Sequence, residues 1–321
     1  MKRGRGGDAA TGSVASSGIE FDAKSFLETN EAAGVTEESM VLGIDEAGRG
    51  PAVGDMVYVG AFVPLKDHDR ILQAGVADSK TLSDKNREAC AVKLREISTL
   101  GFVQVNVTAE QIAHCMTGRH GTSLNTLSHQ TAINIIHEAT LRAQGRLCAV
   151  YVDTVGHPGR YAAVLRSRFP HLKVTVTPKA DSKFPIVSAA SVIAKSERER
   201  NVAELHARGV NVGSGYPGDE RCVQWYRSHL HRFFGYRTSD AEFVRMSWAP
   251  IVQTIGDACH PASFEFVRGA NADHGDQASS SRVSAPQQRK LLLGKQPPRR
   301  DPILSVSLGI TWVQNDIVAA H

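Results

Sequence analysis

Residues 41–64, VLGIDEAGRGPAVGDMVYVGAFVP, place two acids between an apolar run and a Gly-Arg-Gly turn, and a second apolar stretch resumes at Met56. Val41–Ile44 and Met56–Val63 have the composition of strands bounded by a turn. Neighbouring side chains on a strand point to opposite faces. Asp45 and Glu46 therefore converge only if the chain turns at Glu46, a turn that Gly48 and Gly50 permit. A dinucleotide-binding loop would need a helix directly after the glycines. Here Pro51 and the β-rich MVYVGAFV follow instead, and no G-x-x-x-x-G-K-[ST] motif occurs.

Working outward, a helix is expected over Ser83–Ile97 with Gly101 as its stop, then a strand over Phe102–Val107. A long helix over Ser123–Gln144 ends at Gly145, a residue type suited to a helix C-terminus. LCAVYVDTVG (147–156) reads as a strand buried on both faces and ending in an acid. LKVTVTPKAD (172–181) alternates apolar and polar residues until Pro178 and carries Asp181 at its end. The stretch from Pro185 to Gly209 reads as a helix that Pro opens and Gly closes. Strands and helices in mixed order imply an α/β sheet flanked by helices.

Four acids, Asp45, Glu46, Asp153 and Asp181, thus fall at or just beyond strand ends. Carboxylates gathered in one place repel and raise one another's pKa values, which bound divalent cations relieve. Mg²⁺ prefers oxygen ligands and keeps several waters, so a few carboxylates suffice. Two such ions about 4 Å apart serve phosphodiester hydrolysis. Judged by spacing alone, ordinary turn acids remain an equal alternative.

Composition narrows the classes. The chain has 321 residues, 41% hydrophobic and 22% charged, with a net charge of +4. These values suit an ordinary globular protein, and the mild basicity is compatible with a polyanionic partner. No run approaches the roughly 18 apolar residues of a membrane span. MKRGRGGDAATG has no secretory h-region. The five scattered cysteines form no C-x-x-C pair and fit a reducing compartment. Residues 1–39 are expected to be a flexible lead, 40–257 a catalytic domain, 258–300 a disordered basic linker, and 301–321, with PILSVSLGITWV, a docking segment.

GIDEAGRGPAVGDMVY, VADSKTLS, LNTLSH, YVDTVG, KADSKFPIVSAASVIAK and GSGYPGD occur in that order, and in this the chain resembles the type 2 ribonucleases H. It is most similar to their eukaryotic catalytic A subunits over about residues 41–255. The resemblance implies a ribonuclease H-like fold, a mixed central sheet flanked by helices, plus a mostly helical C-terminal part. It implies hydrolysis of RNA in RNA–DNA hybrids and incision 5′ of ribonucleotides embedded in duplex DNA. Asp45, Glu46, Asp153 and Asp181 match the family's catalytic metal ligands, for two Mg²⁺ or Mn²⁺ ions. Gly48, Arg49 and Gly50 match the turn that contacts the 2′-hydroxyl, the group that separates RNA from DNA. Tyr216 matches the tyrosine that packs on the sugar at the RNA–DNA junction. Lys80 and Asn125 match polar positions near the substrate backbone, and Lys183 and Arg198 are further basic candidates.

Relatives often carry Arg-Asp where this chain has Arg198-Glu199, which puts a role for Glu199 in doubt. Asp55 is an additional acid, expected to be a solvated loop residue. The family also implies accessory subunits B and C, a part in DNA replication and repair, and a nuclear location, with a mitochondrial one as the other option. Two rivals are a non-catalytic nucleic-acid-binding subunit, which a missing acid would favour, and another nuclease on the same fold, such as a resolvase or integrase.

Overall fold

The computed structural model describes residues 20–76, 83–117 and 121–259. Lys80, most of the expected basic linker and the whole 301–321 segment lie outside the described residues. The elements follow in the order α1 (Ala23–Asn30), β1 (Met40–Ala47), β2 (Met56–Pro64), α2 (Asp69–Gln73), α3 (Asp84–Arg95), β3 (Gly101–Val107) and α4 (Ala109–Thr117). Then come α5 (Leu124–Arg142), β4 (Leu147–Asp153), α6 (Pro158–Arg168), β5 (Lys173–Thr177) and α7 (Pro185–Ala207). The C-terminal part comprises α8 (Glu220–Ser228), β6 (Leu230–His231), β7 (Gly235–Tyr236), α9 (Thr238–Ala241) and α10 (Ala249–Ala258). No helix among the described residues is long and apolar enough to cross a membrane.

The five-stranded sheet has the order β3-β2-β1-β4-β5. β1 pairs antiparallel with β2 and parallel with β4, and β4 runs parallel to β5. β1 is central, so its run MVLGI is buried throughout, as expected of a strand covered on both faces. On one face the 23-residue helix α7 crosses β1 and β2 and joins α1 and α3 in the main core cluster. Gly43 makes that crossing possible. A Cβ there would stand 2.4 Å from the carbonyl carbon of Ile186, a backbone atom that cannot give way. On the other face α5 packs on β2 and β3, and a Cβ at Gly60 would stand 2.3 Å from Ile135 Cγ2.

Local signals explain where the helices begin. The Ser83 and Ser123 hydroxyls accept from the amides of Asn86 and Thr126, and Pro185 occupies the first turn of α7. Beyond α7 a separate apolar cluster joins Val53, Leu205, Trp225, Tyr226, Val244 and Ile251. A bridge between Val53 and Val244 ties this C-terminal part to the segment following the Gly-Arg-Gly turn. The part is mostly helical, as expected, with the short β6–β7 hairpin added.

The N-terminal expectation needs correction. Within the described part of 1–39, residues 23–30 form α1, capped by the Asp22 carboxylate, which accepts from Lys24 N at 3.1 Å. Phe21 is buried, its ring 4.6 Å from His68 and 5.3 Å from Tyr151. A Gly-, Ala- and Ser-rich composition concealed three apolar residues, Phe21, Phe26 and Leu27, that pack on the main core.

Candidate active site

The parallel pairing of β1 with β4 ends at Ile44 opposite Val152. The next residues along the two strands are Asp45 and Asp153, so both acids emerge at one end of the sheet. β1 does not turn at Glu46. Its pairing with β2 continues through Asp45–Val59, Glu46–Tyr58 and Ala47–Val57, and the bend comes at Gly48, where φ is +83°. The turn expected at Glu46 is therefore absent, yet Asp45 and Glu46 both lie close enough to Asp153 for its charge to raise their pKa values. Glu46 also lines a cleft with the Gly-Arg-Gly turn. The Asp153 carboxylate accepts from Ala180 N at 2.9 Å. That bond draws the 3₁₀ turn Ala180–Ser182, with Asp181, toward the end of β4.

Burial, then the charges of Asp153 and Asp181, push the Asp45 carboxyl from 3.8 up to about 7. The Ser191 hydroxyl and the Glu46 amide pull the other way; the amide donates to Asp45 Oδ1 at 2.8 Å. Glu46 is raised well above its ordinary value, first by burial and then by Asp45, with Arg49 opposing. Among the described residues no three acid, histidine or cysteine side chains already close around one point. Carboxylate oxygens suit a hard divalent ion that keeps several of its waters. The donors are all carboxylate oxygens, and a cation among them removes the repulsion that raises Asp45 and Glu46.

Beside the acids the Gly-Arg-Gly turn lines a cleft with Lys195, Arg198 and Tyr216. Arg49 donates to Ser128 Oγ at 2.9 Å and to Asn125 Oδ1. A Cβ at Gly156 would stand 2.7 Å from Asn125 Nδ2, so Asn125 joins the turn to the loop that follows Asp153. The Tyr216 ring lies against Gly50, where an added Cβ would sit 3.3 Å from its Cε1. Ala52 N and Val53 N donate to Gly215 O at 2.9 and 3.2 Å, which fixes the tyrosine loop to the turn. Arg198 stacks over the Tyr216 ring at 4.6 Å and donates to Ser214 O.

The structure thus gathers Asp45, Glu46, Asp153, Asp181, Gly48, Arg49, Gly50, Asn125, Arg198 and Tyr216. Lys183 is engaged elsewhere: its ammonium pairs with Glu20 at 3.1 Å, and its carbonyl accepts from Glu20 N at 2.9 Å. Glu199 pairs with Arg87 on α3, a tie between helices. Asp55 is not a solvated loop acid. It is partly buried, accepts from Ala109 N at 3.3 Å at the start of α4, and faces the Arg245 charge.

Sequence reasoning missed three residues here. Lys195 lines the cleft one helical turn before Glu199. Arg245 and Trp248 hold the Gly-Arg-Gly turn from behind. These two lie in EFVRMSWAPIVQTI (242–255), at the end of the region of resemblance, where nothing local marks them as part of the site.

A mixed α/β sheet whose strand ends carry clustered acids beside a glycine turn and an aromatic loop defines a nuclease of the ribonuclease H-like class. Comparison with known proteins narrows this. The Ribonuclease HII family model matches residues 42–251. The A subunit of ribonuclease H2 from Rattus norvegicus is 41% identical over 220 residues, 66% of this chain and 71% of that protein. Its Homo sapiens counterpart is 40% identical over 225 residues, covering 68% and 73%. The crystal structure of the ribonuclease H2 from Pyrococcus horikoshii OT3 superposes with a TM-score of 0.58 at 32% identity, covering 68% of this chain and 98% of that one. The chain belongs to the Ribonuclease HII family and is a ribonuclease H.

Proposed function

We propose that this ribonuclease H cuts the RNA strand of RNA–DNA hybrids and incises duplex DNA on the 5′ side of an embedded ribonucleotide, leaving a 3′-hydroxyl and a 5′-phosphate. The observation that carries the reading is the meeting of two features at one sheet end. Asp45, Glu46, Asp153 and Asp181 supply charge, and the Gly48–Gly50 turn lies against Tyr216. The acids alone suit any phosphodiester hydrolysis; the turn and ring add a place to inspect a sugar.

Asp45, Glu46, Asp153 and Asp181 would hold two Mg²⁺ or Mn²⁺ ions. The chemistry those ions supply is Lewis-acid activation of water and neutralisation of charge on the leaving oxygen. The protein's own groups do the rest. Arg49, fixed by Asn125 and Ser128, orients the turn whose amides meet the 2′-hydroxyl, and the Tyr216 face packs on the deoxyribose that lacks it. Arg198 and Lys195 place positive charge along the cleft for the phosphates, contacts that position a duplex without reading its sequence.

The names of the relatives, which mark each as one member of a larger ribonuclease H2 assembly, support association with accessory subunits B and C. The 301–321 segment is the proposed contact. A nuclear location and a part in ribonucleotide removal during replication and repair complete the proposal, and imaging of a fluorescent fusion tests the location. The activity test is incision of a labelled duplex containing one ribonucleotide, with and without Mg²⁺, by the chain alone and with B and C. Wild type should cut 5′ of the ribonucleotide, Asp45→Asn and Asp181→Asn should be silent, and Tyr216→Ala should lose junction cutting while keeping hybrid cutting. Wild type inactive on this duplex in the complete assembly, yet active on hybrids, would refute the embedded-ribonucleotide substrate.

A further inference from the structure

Arg245 has no exposed surface. A buried charge costs several kcal/mol unless it is well compensated, so its partners show what it does. All its hydrogen bonds among the described residues go to main-chain carbonyls of one loop. Nη2 donates to Gly48 O at 2.6 Å, Nη1 to Arg49 O at 2.9 Å and Nε to Gly54 O at 2.9 Å. The planar guanidinium offers its donors in a fixed fork, which suits several carbonyls of one bend. Trp248 completes the set. Its ring lies 5.2 Å from the Arg245 guanidinium carbon, and its indole N–H donates to Gly50 O at 3.1 Å. Every carbonyl of Gly48-Arg49-Gly50 is therefore held by one of two side chains about 200 residues downstream.

These bonds have a consequence for the amides. In a trans peptide the carbonyl of one residue and the N–H of the next point in opposite directions. With the Gly48 and Arg49 carbonyls drawn toward Arg245, the N–H groups of Arg49 and Gly50 face away from it. Arg245 is sealed behind the turn, whereas the turn itself lines the cleft with Tyr216 and Arg198. Pro51 follows Gly50 and has no N–H, so the Arg49 and Gly50 amides are the pair so directed.

We infer that Arg245 and Trp248 are positioning residues for sugar recognition: they grip the carbonyl side of the turn and so aim its two amides at the substrate's 2′-oxygen. The inference rests on the proposed role of the turn in meeting the 2′-hydroxyl. A guanidinium serving only to anchor the C-terminal part could bond any nearby carbonyls. Here the bonded carbonyls belong to successive peptides of the one segment that borders both the acids and Tyr216.

The test compares RNA–DNA hybrids that carry either ribose or 2′-fluoro-ribose at one fixed cleavage site, under single-turnover conditions with Mg²⁺. Trp248→Phe keeps the ring and removes the N–H, while Arg245→Lys keeps the charge but cannot span three carbonyls. Both variants should lose preference for ribose over 2′-fluoro-ribose, by about tenfold in Trp248→Phe, the equivalent of one good hydrogen bond. Hybrid Kd should stay at the wild-type value. Equal slowing on both sugars with the preference retained, or no change at all, would overturn the inference. If Arg245→Lys unfolds, Trp248→Phe decides. A wild-type enzyme that cuts both sugars alike would instead refute the role of the turn itself, and the clamp's role with it.

Discussion

Asp45→Asn should stabilise the metal-free protein at alkaline pH while abolishing its activity. In the folded chain the Asp45 carboxyl is pushed from 3.8 to about 7, chiefly by burial and then by Asp153 and Asp181. Between those values the folded state holds a proton that the unfolded chain has released. Stability therefore falls as pH rises through that window and is fully reduced above about 7. At about 1.4 kcal/mol per pH unit the penalty reaches ~4 kcal/mol. Asparagine is neutral throughout and escapes it, so the variant's advantage is near zero at pH 4 and largest at pH 8. For a domain of this size that corresponds to about 10 °C in Tm. The assay is thermal or urea unfolding of wild type and Asp45→Asn in EDTA, from pH 4 to 8. Adding Mg²⁺ at pH 8 should shrink the gap by stabilising wild type alone. A difference that stays constant with pH, or an Asp45→Asn protein less stable at pH 8, would refute the view of Asp45 as a buried acid held in a repulsive cluster.

Three further outcomes follow from contacts already described. Gly43→Ala places a Cβ 2.4 Å from the Ile186 carbonyl carbon, so α7 must shift and stability should fall by about 3 kcal/mol, read by urea unfolding. Asn125→Ala releases one side of Arg49. It should lower kcat about tenfold with only about 1 kcal/mol lost in stability, and unchanged kcat would show that Arg49 needs no such tether. Arg87→Ala breaks the pair with Glu199 and should lower Tm modestly without altering cleavage position or metal dependence, as expected if Glu199 ties α3 to α7 rather than serving the reaction.

The legible part of this protein was the part written locally. β1, β2, β4 and α7 could be read because apolar runs, alternation and Gly or Pro boundaries are properties of neighbouring residues. Asp45, Asp153 and Asp181 stood out for the same reason, each closing such a run. Family resemblance then gave the glycine turn and Tyr216 their expected roles. α6 was not singled out, although His157 caps it and Pro158 opens it, since the preceding strand was read on to Gly156. α1 was missed because its few apolar residues matter only once the main core exists to receive them.

What the sequence by itself determined was the order of the five sheet strands and of the three longest described helices, with the acids that end the strands, because backbone preference and hydrophobic period act over a few residues. Tertiary structure decided which polar groups meet. It placed the bend at Gly48 and not at Glu46, because pairing with β2 runs on to Ala47. It turned Lys183 toward Glu20 and set Asp55, partly buried, beside the Arg245 charge. Above all it carried Arg245 and Trp248 from the chain's distant C-terminal part to the carbonyls of Gly48, Arg49 and Gly50. In sequence a buried arginine looks like any surface arginine. Only the folded chain shows that its charge is compensated by carbonyls, and which ones.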